Sequence, residues 1–110
     1  MSKATYIQRG ESLDYKNPTS KLIEAGTVIS MVSTIGVAGT NIPAGQVGSV
    51  HVIGVFEIEK TDSTEILFGT PVYFDGTGIT ATSGGSTTPA GYAAANAAAA
   101  DTTIAVKLLG

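Results

Sequence analysis

The chain contains no cysteine and only one histidine, and these two shortages exclude several kinds of catalytic centre. Without cysteine there can be no disulfide, no thiolate metal site and no cysteine nucleophile. The single histidine, His51, stands in a strand-like run between Val50 and Val52, and one histidine cannot hold zinc unless other ligands lie close by. No G-x-S-x-G turn is present to display a nucleophilic serine. We therefore interpret His51 as a structural residue and expect no enzyme, no cofactor and no metal site.

Charged residues are also scarce, which bears on the partners that the protein can attract. They make up 14% of the chain, the net charge is −3, and the six basic residues are spread singly from Lys3 to Lys107. Nonspecific binding to nucleic acid needs a basic patch, so we expect no nucleic-acid partner. The absence of a G-x-x-x-x-G-K-[ST] loop argues against nucleotide-driven chemistry. A surface with so few charges suits a protein that lies against neighbouring molecules.

Long apolar segments are missing as well. No run approaches the roughly 20 residues of a membrane-spanning helix, and the first residues, "MSKATYIQRGESLDYK", lack the apolar core of a secretory signal. These features predict no membrane partner and a protein that is made and kept in a cytoplasm.

The chain consists instead of short β-rich runs separated by glycine, proline, asparagine and aspartate. With 110 residues, 43% of them hydrophobic, it can bury the core of one domain but not of two. The runs are "TVISMVST" (27–34), "IGVAG" (35–39), "VGSVHVIGVFEIEK" (47–60), "PVYFDG" (71–76), "GITAT" (78–82) and "TTIAVKLL" (102–109). This spacing predicts an all-β fold, a small antiparallel β-barrel or sandwich with an extended N-terminal arm and little or no helix.

The run 47–60 alternates in hydropathy and ends in acidic residues. One face is expected to hold Val50, Val52, Gly54, Phe56 and Ile58, and the other His51, Ile53, Val55, Glu57 and Glu59. The carboxylates Glu57, Glu59, Asp62 and Glu65 follow one another closely. They form either a paired-carboxylate or cation site or, as we favour, a solvated strand end with Lys60 as the local counter-charge.

Residues 1–20 differ from the rest, being polar with isolated apolar side chains. We divide the chain into an extended arm, 1–20, and a single β-rich domain, 21–110, and expect short strands at Thr5–Gln8 and Ser12–Tyr15 within the arm. The arm is either a frayed terminus or a strap that becomes ordered on a partner surface.

The two halves of the domain share a faint repeat. Aligning "AGTVI" (25–29) with "FGTPVYF" (68–74), and Gly36-Val37-Ala38 with Gly91-Tyr92-Ala93, places 47–52 opposite 102–107 to within one or two residues. The pattern predicts a duplicated β unit, although a Gly/Thr/Val-rich chain can also produce such an echo by chance.

The alanines between Ala90 and Ala100 suggest a helix at first, but their context does not. A helix over 93–100 would have about two turns and no amphipathic stripe, whereas an isolated helix needs about 12 to 15 residues. We predict a tightly packed strand at Gly91–Ala95, a loop at Asn96–Asp101 with at most one helical turn, and a closing strand at Thr102–Leu109.

Taken in order, four segments resemble the capsid decoration (cement) proteins of tailed bacteriophages. They are "YIQRGESLDYKNPT", "GVAGTNIPAGQVGSVHVIGVFEIEK", "GTPVYFD" and "AGYAAA…DTTIAVKLLG". Members of this family are often labelled putative phage recombinases, but this chain is too short for a nucleotide-binding core and lacks its phosphate loop.

The resemblance implies a structural virion protein on the outer surface of the head that stabilises the expanded capsid. Its partner would be the major capsid protein, and it would commonly act as a homotrimer. By position in the arm, we expect Tyr6 and Ile7 to be apolar anchors, and Lys3 and Arg9 to meet acidic or carbonyl groups of the shell.

Two other functions remain open. The first is a virion-surface binding module for a small ligand or glycan, for which Tyr73, Phe74 and Tyr92 could line a pocket. The second is a small enzyme, whose sign would be His51 beside a carboxylate in a cleft.

Overall fold

The computed structural model describes residues 2–109, which form nine strands and no helix. The strands are β1 (Ser12–Lys16), β2 (Val28–Met31), β3 (Thr34–Ala38), β4 (Val47–His51), β5 (Ile53–Glu59), β6 (Pro71–Phe74), β7 (Ile79–Thr80), β8 (Thr88–Ala93) and β9 (Thr103–Leu109). They build two antiparallel sheets in the orders β1-β4-β3-β2 and β5-β9-β8-β6-β7. Within residues 2–109 there is no helix that is long and apolar enough to span a bilayer.

The two sheets pack face to face, so the predicted all-β sandwich is confirmed. β3 of the first sheet lies against β8 and β9 of the second, and Ile35 and Val37 share one apolar cluster with Val72, Val106 and Leu108. The second sheet does not close into a barrel, although a single parallel bridge between Lys60 and Ile79 joins its two ends beyond β5.

The predicted alternation of residues 47–60 is confirmed, but the run belongs to two strands. Val50, Val52 and Ile58 are buried, whereas Ile53 and Val55 are exposed. The ladder is interrupted at Val52, where the chain leaves the first sheet and enters the second. A single hydrophobic run therefore connects the two layers.

The two halves of the chain have the same topology, which confirms the predicted duplication. In each sheet the strand that comes first in sequence pairs with the last, the last with the third, and the third with the second, if the short β7 is set aside. Ala38 pairs with Val50 in the first sheet as Ala93 pairs with Val106 in the second.

The loops repeat as closely as the strands do. The backbone N–H of Ala25 donates to Asn41 Oδ1 at 2.8 Å, and in the second half the N–H of Phe68 donates to Asn96 Oδ1 at 2.7 Å. Reciprocal backbone hydrogen bonds join Ile23 to Ile42 in the first half, and Ile66 to Ala97 in the second. The repeat is therefore a property of the hydrogen-bond network as well as of sequence composition.

One difference between the halves matters for the surface. A two-residue turn joins β2 to β3, whereas a longer connection between β6 and β8 contains β7, which pairs with β6. An Asp-Gly turn begins this connection: Gly76 has φ +98°, and Asp75 N–H donates to the carbonyl of Gly78 at 3.0 Å.

The alanine-rich segment contains no helix, as predicted. Its first residues belong to β8, the segment 94–102 is a loop, and β9 follows with Ile104, Val106 and Leu108 on its buried face. Ala90 and Ala93 are fully buried, and Ala97 nearly so. The small side chains allow strands and loops to approach closely.

The beginning of the chain is part extended segment and part sheet. The strand expected at Ser12–Tyr15 is present as β1, which pairs with β4 over its whole length. The strand expected at Thr5–Gln8 is wrong, because residues 2–10 have no strand assignment and pair with nothing in the described part of the chain. We call residues 2–10 the arm from here on.

Candidate functional site

The arm exposes apolar side chains. Tyr6 is 79% exposed and Ile7 is 86% exposed, and Lys3 and Arg9 are exposed as well. The arm joins the domain at Gly10, whose φ of +78° is available to glycine without strain and which has open space around it. The four residues predicted from sequence thus share one extended segment, but the fold brings none of them to another part of the described chain.

A groove of about 550 Å³ lies between the sheets. The β5 wall contributes Phe56, Glu57, Ile58 and Glu59, and the opposite wall contains Val28 and the end of β3. β5 is the outermost strand of its sheet and pairs only with β9. An unpaired strand edge therefore forms one side of an acidic and apolar groove.

His51 lies at the end of this groove in a structural setting. Its Nδ1 shares a hydrogen bond of 2.9 Å with Ser12 Oγ, and its ring stacks on Phe56 with 6.0 Å between the ring centroids. A Cβ built on Gly39 would lie 2.9 Å from Nε2. No hydrogen bond within residues 2–109 joins His51 to a carboxylate, so the arrangement lacks the oriented base of a catalytic triad.

The acidic residues near the end of β5 are spread over the strand and the loop that follows it. Residues 2–109 contain no group of three or more histidines or carboxylates that could hold a metal ion. Lys60 is not a solvated counter-charge as expected: it is 6% exposed, and its Nζ donates to the carbonyls of Asp62 and Ala99. Asn17 has the corresponding place in the first half, fully buried with its Nδ2 donating to the carbonyls of Lys21 and Ile42.

Asp62 organises the loop after β5. Its Oδ1 accepts hydrogen bonds from the hydroxyl and N–H groups of Thr64, and its Oδ2 accepts from Thr80 Oγ1 and Ala81 N–H. The Thr64 hydroxyl, followed by the Ala81 N–H, holds the pKa of this carboxyl well below its usual range. The carboxylate is thus committed to the fold and is not free to bind a cation.

The lowered pKa of Asp62 makes a prediction about acid stability. Because the native state binds this proton more weakly than the unfolded chain, the stabilisation is complete above the unfolded pKa of about 4 and is lost as pH falls below it. We expect Asp62→Asn to lower the free energy of unfolding by about 1 kcal/mol at pH 7. Urea unfolding at pH 7 and pH 3 should show a smaller loss between the two pH values in Asp62→Asn than in the parent. Glu65→Gln changes an exposed carboxyl of the same loop and should lose as much stability between pH 7 and pH 3 as the parent does. If all three proteins lost the same free energy of unfolding between these pH values, Asp62 would not be a source of the acid sensitivity.

The aromatic residues suggested for a ligand pocket do not line the groove. Phe74 is part of the core cluster, Tyr73 is half-buried and Tyr92 is exposed on β8. The groove contains one aromatic ring from β5, Phe56, and this ring is stacked on His51. The three rings suggested for the small-ligand or glycan alternative therefore do not line this groove.

A second exposed apolar surface was missed at the sequence level. Ile53 pairs with Leu109, Val55 with Lys107, and Lys107 with Tyr92, and the four apolar side chains among them are between 37% and 62% exposed. They form a patch on the outer face of the second sheet. The alternation of 53–59 placed Ile53 and Val55 on this face, but the neighbours that make a patch come from β8 and β9, which only the sheet order brings together.

The chain was compared with protein-family models, with curated proteins and with solved structures. The family model described as phage cement protein matches residues 7–108, which include Ile7 and Arg9 but not Lys3 or Tyr6. The comparison with curated proteins gives no match, and neither does that with solved structures. The match spans both sheets and both halves of the duplication, and a cement protein is a structural protein that binds a capsid. The chain therefore belongs to the phage cement proteins.

Proposed function

We propose that the protein binds the outer surface of a phage head and stabilises the expanded capsid. The observation that carries this proposal is the family match over residues 7–108. The partner is the major capsid protein, and the role is structural, with no catalytic activity. In this proposal the protein is synthesised in the host cytoplasm and attaches to the assembled head, where its sparsely charged surface lies against neighbouring molecules.

The arm is proposed as a contact with the shell. Tyr6 and Ile7 are almost fully exposed, and such side chains gain most when a partner buries them. An extended segment can also add a strand to a sheet edge of the shell, where its main chain supplies the hydrogen bonds. In this assignment Lys3 and Arg9 meet acidic or carbonyl groups of the capsid protein.

The proposed oligomer on the head is a homotrimer. Icosahedral shells offer three-fold and quasi-three-fold positions, which a closed three-fold ring of subunits matches. The exposed patch of Ile53, Val55, Tyr92 and Leu109 is a surface that such packing could bury against neighbours or shell.

The test of the proposed function uses phage heads assembled without this protein. Purified protein is mixed with expanded and with unexpanded heads, and the bound fraction is measured by co-sedimentation. We expect saturable binding to expanded heads only, a higher temperature of DNA release after binding, and three-fold clusters of density by cryo-electron microscopy. Equal binding to both kinds of head, or an unchanged release temperature, would contradict stabilisation of the expanded form. Single copies on the shell, without three-fold clusters, would contradict the homotrimer but not the proposed binding to the head.

A further inference from the structure

The groove between the sheets combines three features that no functional role above uses. It has an unpaired strand edge in β5 and an apolar floor from Val37, Phe56 and Ile58, and along the same strand the carboxylates of Glu57 and Glu59 lie on the outward face beside that edge. No hydrogen bond within residues 2–109 satisfies either carboxylate. From the Glu59 carbonyl onward the edge is no longer free, because a Cβ on Gly78 would lie 2.6 Å from that carbonyl oxygen and Thr61 N–H donates to the carbonyl of Ile79 at 3.0 Å. The free edge thus has a defined end and is about one short strand long.

The chemistry of the groove describes its occupant. A strand edge binds an extended main chain, and pockets beside it select alternate side chains. The burial of β5 alternates, with Phe56 and Ile58 turned inward and Glu57 and Glu59 turned outward. An added strand would therefore place one set of side chains on Phe56 and the other set beside the carboxylates. The occupant needs an apolar or aromatic residue in the first set and a basic residue in the second.

The arm of this chain has that pattern. In an extended conformation Lys3, Ile7 and Arg9 lie on one face and Tyr6 lies on the other, since successive side chains alternate. Seated on β5 in either direction, the arm can turn Tyr6 toward Phe56 while Arg9 lies on the face of Glu57 and Glu59. The positions of the basic residues and the alternation of side chains along the arm therefore fit the same placement of the arm on β5.

We propose that, off the head, the groove along β5 binds the arm of a second copy of this chain by strand addition. The arm begins close to the groove, because Ser12, just after the arm, is hydrogen-bonded to His51 at the end of the groove. Gly10 provides the joint from which the arm leaves its own domain. Exchange of arms between copies pairs the main-chain groups at the β5 edge and buries Tyr6. When the protein attaches to the head, the arm leaves the groove and contacts the shell. This exchange goes beyond the proposed function and is testable without any phage head.

The absence of cysteine makes disulfide trapping a direct test. Residues Thr5 to Arg9 are replaced by cysteine one at a time in one tagged pool, and Val55→Cys is introduced in an untagged pool. Val55 points outward on β5 with Glu57 and Glu59, so it reports the outward face and leaves both carboxylates in place. Side chains on one face of adjacent strands are close enough for a disulfide. The matched acceptor control is Val32→Cys, because Val32 is fully exposed in the turn between β2 and β3, far along the chain from β5.

The expected result is a mixed disulfide between the two pools whose yield alternates along the arm. Odd positions should exceed even positions, and all should exceed the yield with Val32→Cys. Glu57→Lys combined with Glu59→Lys should reduce trapping to the control level, and Arg9→Glu in the arm pool should restore part of it. Yields no higher than the control at every arm position would overturn the proposal. It would also be overturned if a chain carrying both cysteines closed a disulfide within itself while the mixed pools formed none, because the arm would then occupy its own groove.

Discussion

Replacing Gly91 with alanine is expected to unfold the protein or to lower its free energy of unfolding by about 3 to 5 kcal/mol. Gly91 is on β8 directly opposite Leu108 of β9, with φ +143°. A Cβ at this position would lie 1.9 Å from the carbonyl oxygen of Lys107 and 2.9 Å from its carbonyl carbon. Both are backbone atoms of a central strand pair, so relief requires β8 and β9 to separate. Small domains have only about 5 to 15 kcal/mol of stability in total, so this loss removes a large part of it.

Three further glycine-to-alanine variants separate the two causes of this effect. Gly85 has open space and no unusual φ, Gly69 has φ +87° with open space, and a Cβ on Gly36 would meet the Val50 side chain at 2.4 Å. Urea unfolding should give little change for Gly85→Ala, about 1 kcal/mol for Gly69→Ala, and a larger loss for Gly36→Ala. If Gly91→Ala unfolded at the same urea concentration as Gly69→Ala, the close approach of β9 would not be the cause.

The positions of Gly36 and Gly91 show why the duplication could be predicted from sequence. Each glycine faces a neighbour that leaves no room for a side chain, so the same small residue recurs at the same place in both halves. The asparagines Asn41 and Asn96 recur because each caps the same loop with its side-chain oxygen. The predicted alignment of β4 with β9 was one residue from the observed register, since Val50 corresponds to Val106. Where close packing or a hydrogen bond requires one residue type, that residue recurs at equivalent positions, and the repeat can be recognised from a single sequence.

The misses have a different physical origin. Thr5–Gln8 has strand-like composition, but a strand forms only where an edge is available to pair with it, and no edge of the described domain pairs with the arm. Lys60 was expected to be solvated because lysine is rarely buried, yet two carbonyls from separate loops accept hydrogen bonds from its ammonium group. The groove could not be predicted at all, because its walls come from β2, β3 and β5, whose approach depends on how the two sheets pack.

Deleting residues 2–10 is expected to leave the domain folded and to abolish binding to expanded heads. Residues 2–9 are all exposed, so their loss should change the free energy of unfolding by no more than about 0.5 kcal/mol. A deletion that extends to Asn17 is not a valid test, because it removes β1 and the buried Asn17 amide that ties this end of the sheet to Ile42. The measurement is co-sedimentation with expanded heads at increasing protein concentration. Retained binding by the folded deletion variant would exclude the arm as the attachment element.

Single substitutions within the arm should show how much each residue contributes to the affinity for expanded heads. Tyr6→Ala is expected to weaken binding about 30-fold, the effect of losing a buried aromatic anchor worth about 2 kcal/mol. Leu22→Ala is the matched control, because Leu22 is also exposed, at 51%, but lies outside the arm. If Tyr6→Ala bound as tightly as Leu22→Ala, Tyr6 would not be an anchor.

Binding to the shell must still be separated from exchange between copies, since both proposals use the arm. The double variant Glu57→Lys, Glu59→Lys changes only the groove and leaves residues 2–10 intact. If the arm contacts the shell directly, this variant should lose disulfide trapping between copies and still bind expanded heads. Loss of both properties would show that heads are bound only by copies already joined through their arms. The arm would then contribute to attachment through assembly of the oligomer, because the shell would recognise a surface that a single copy does not present.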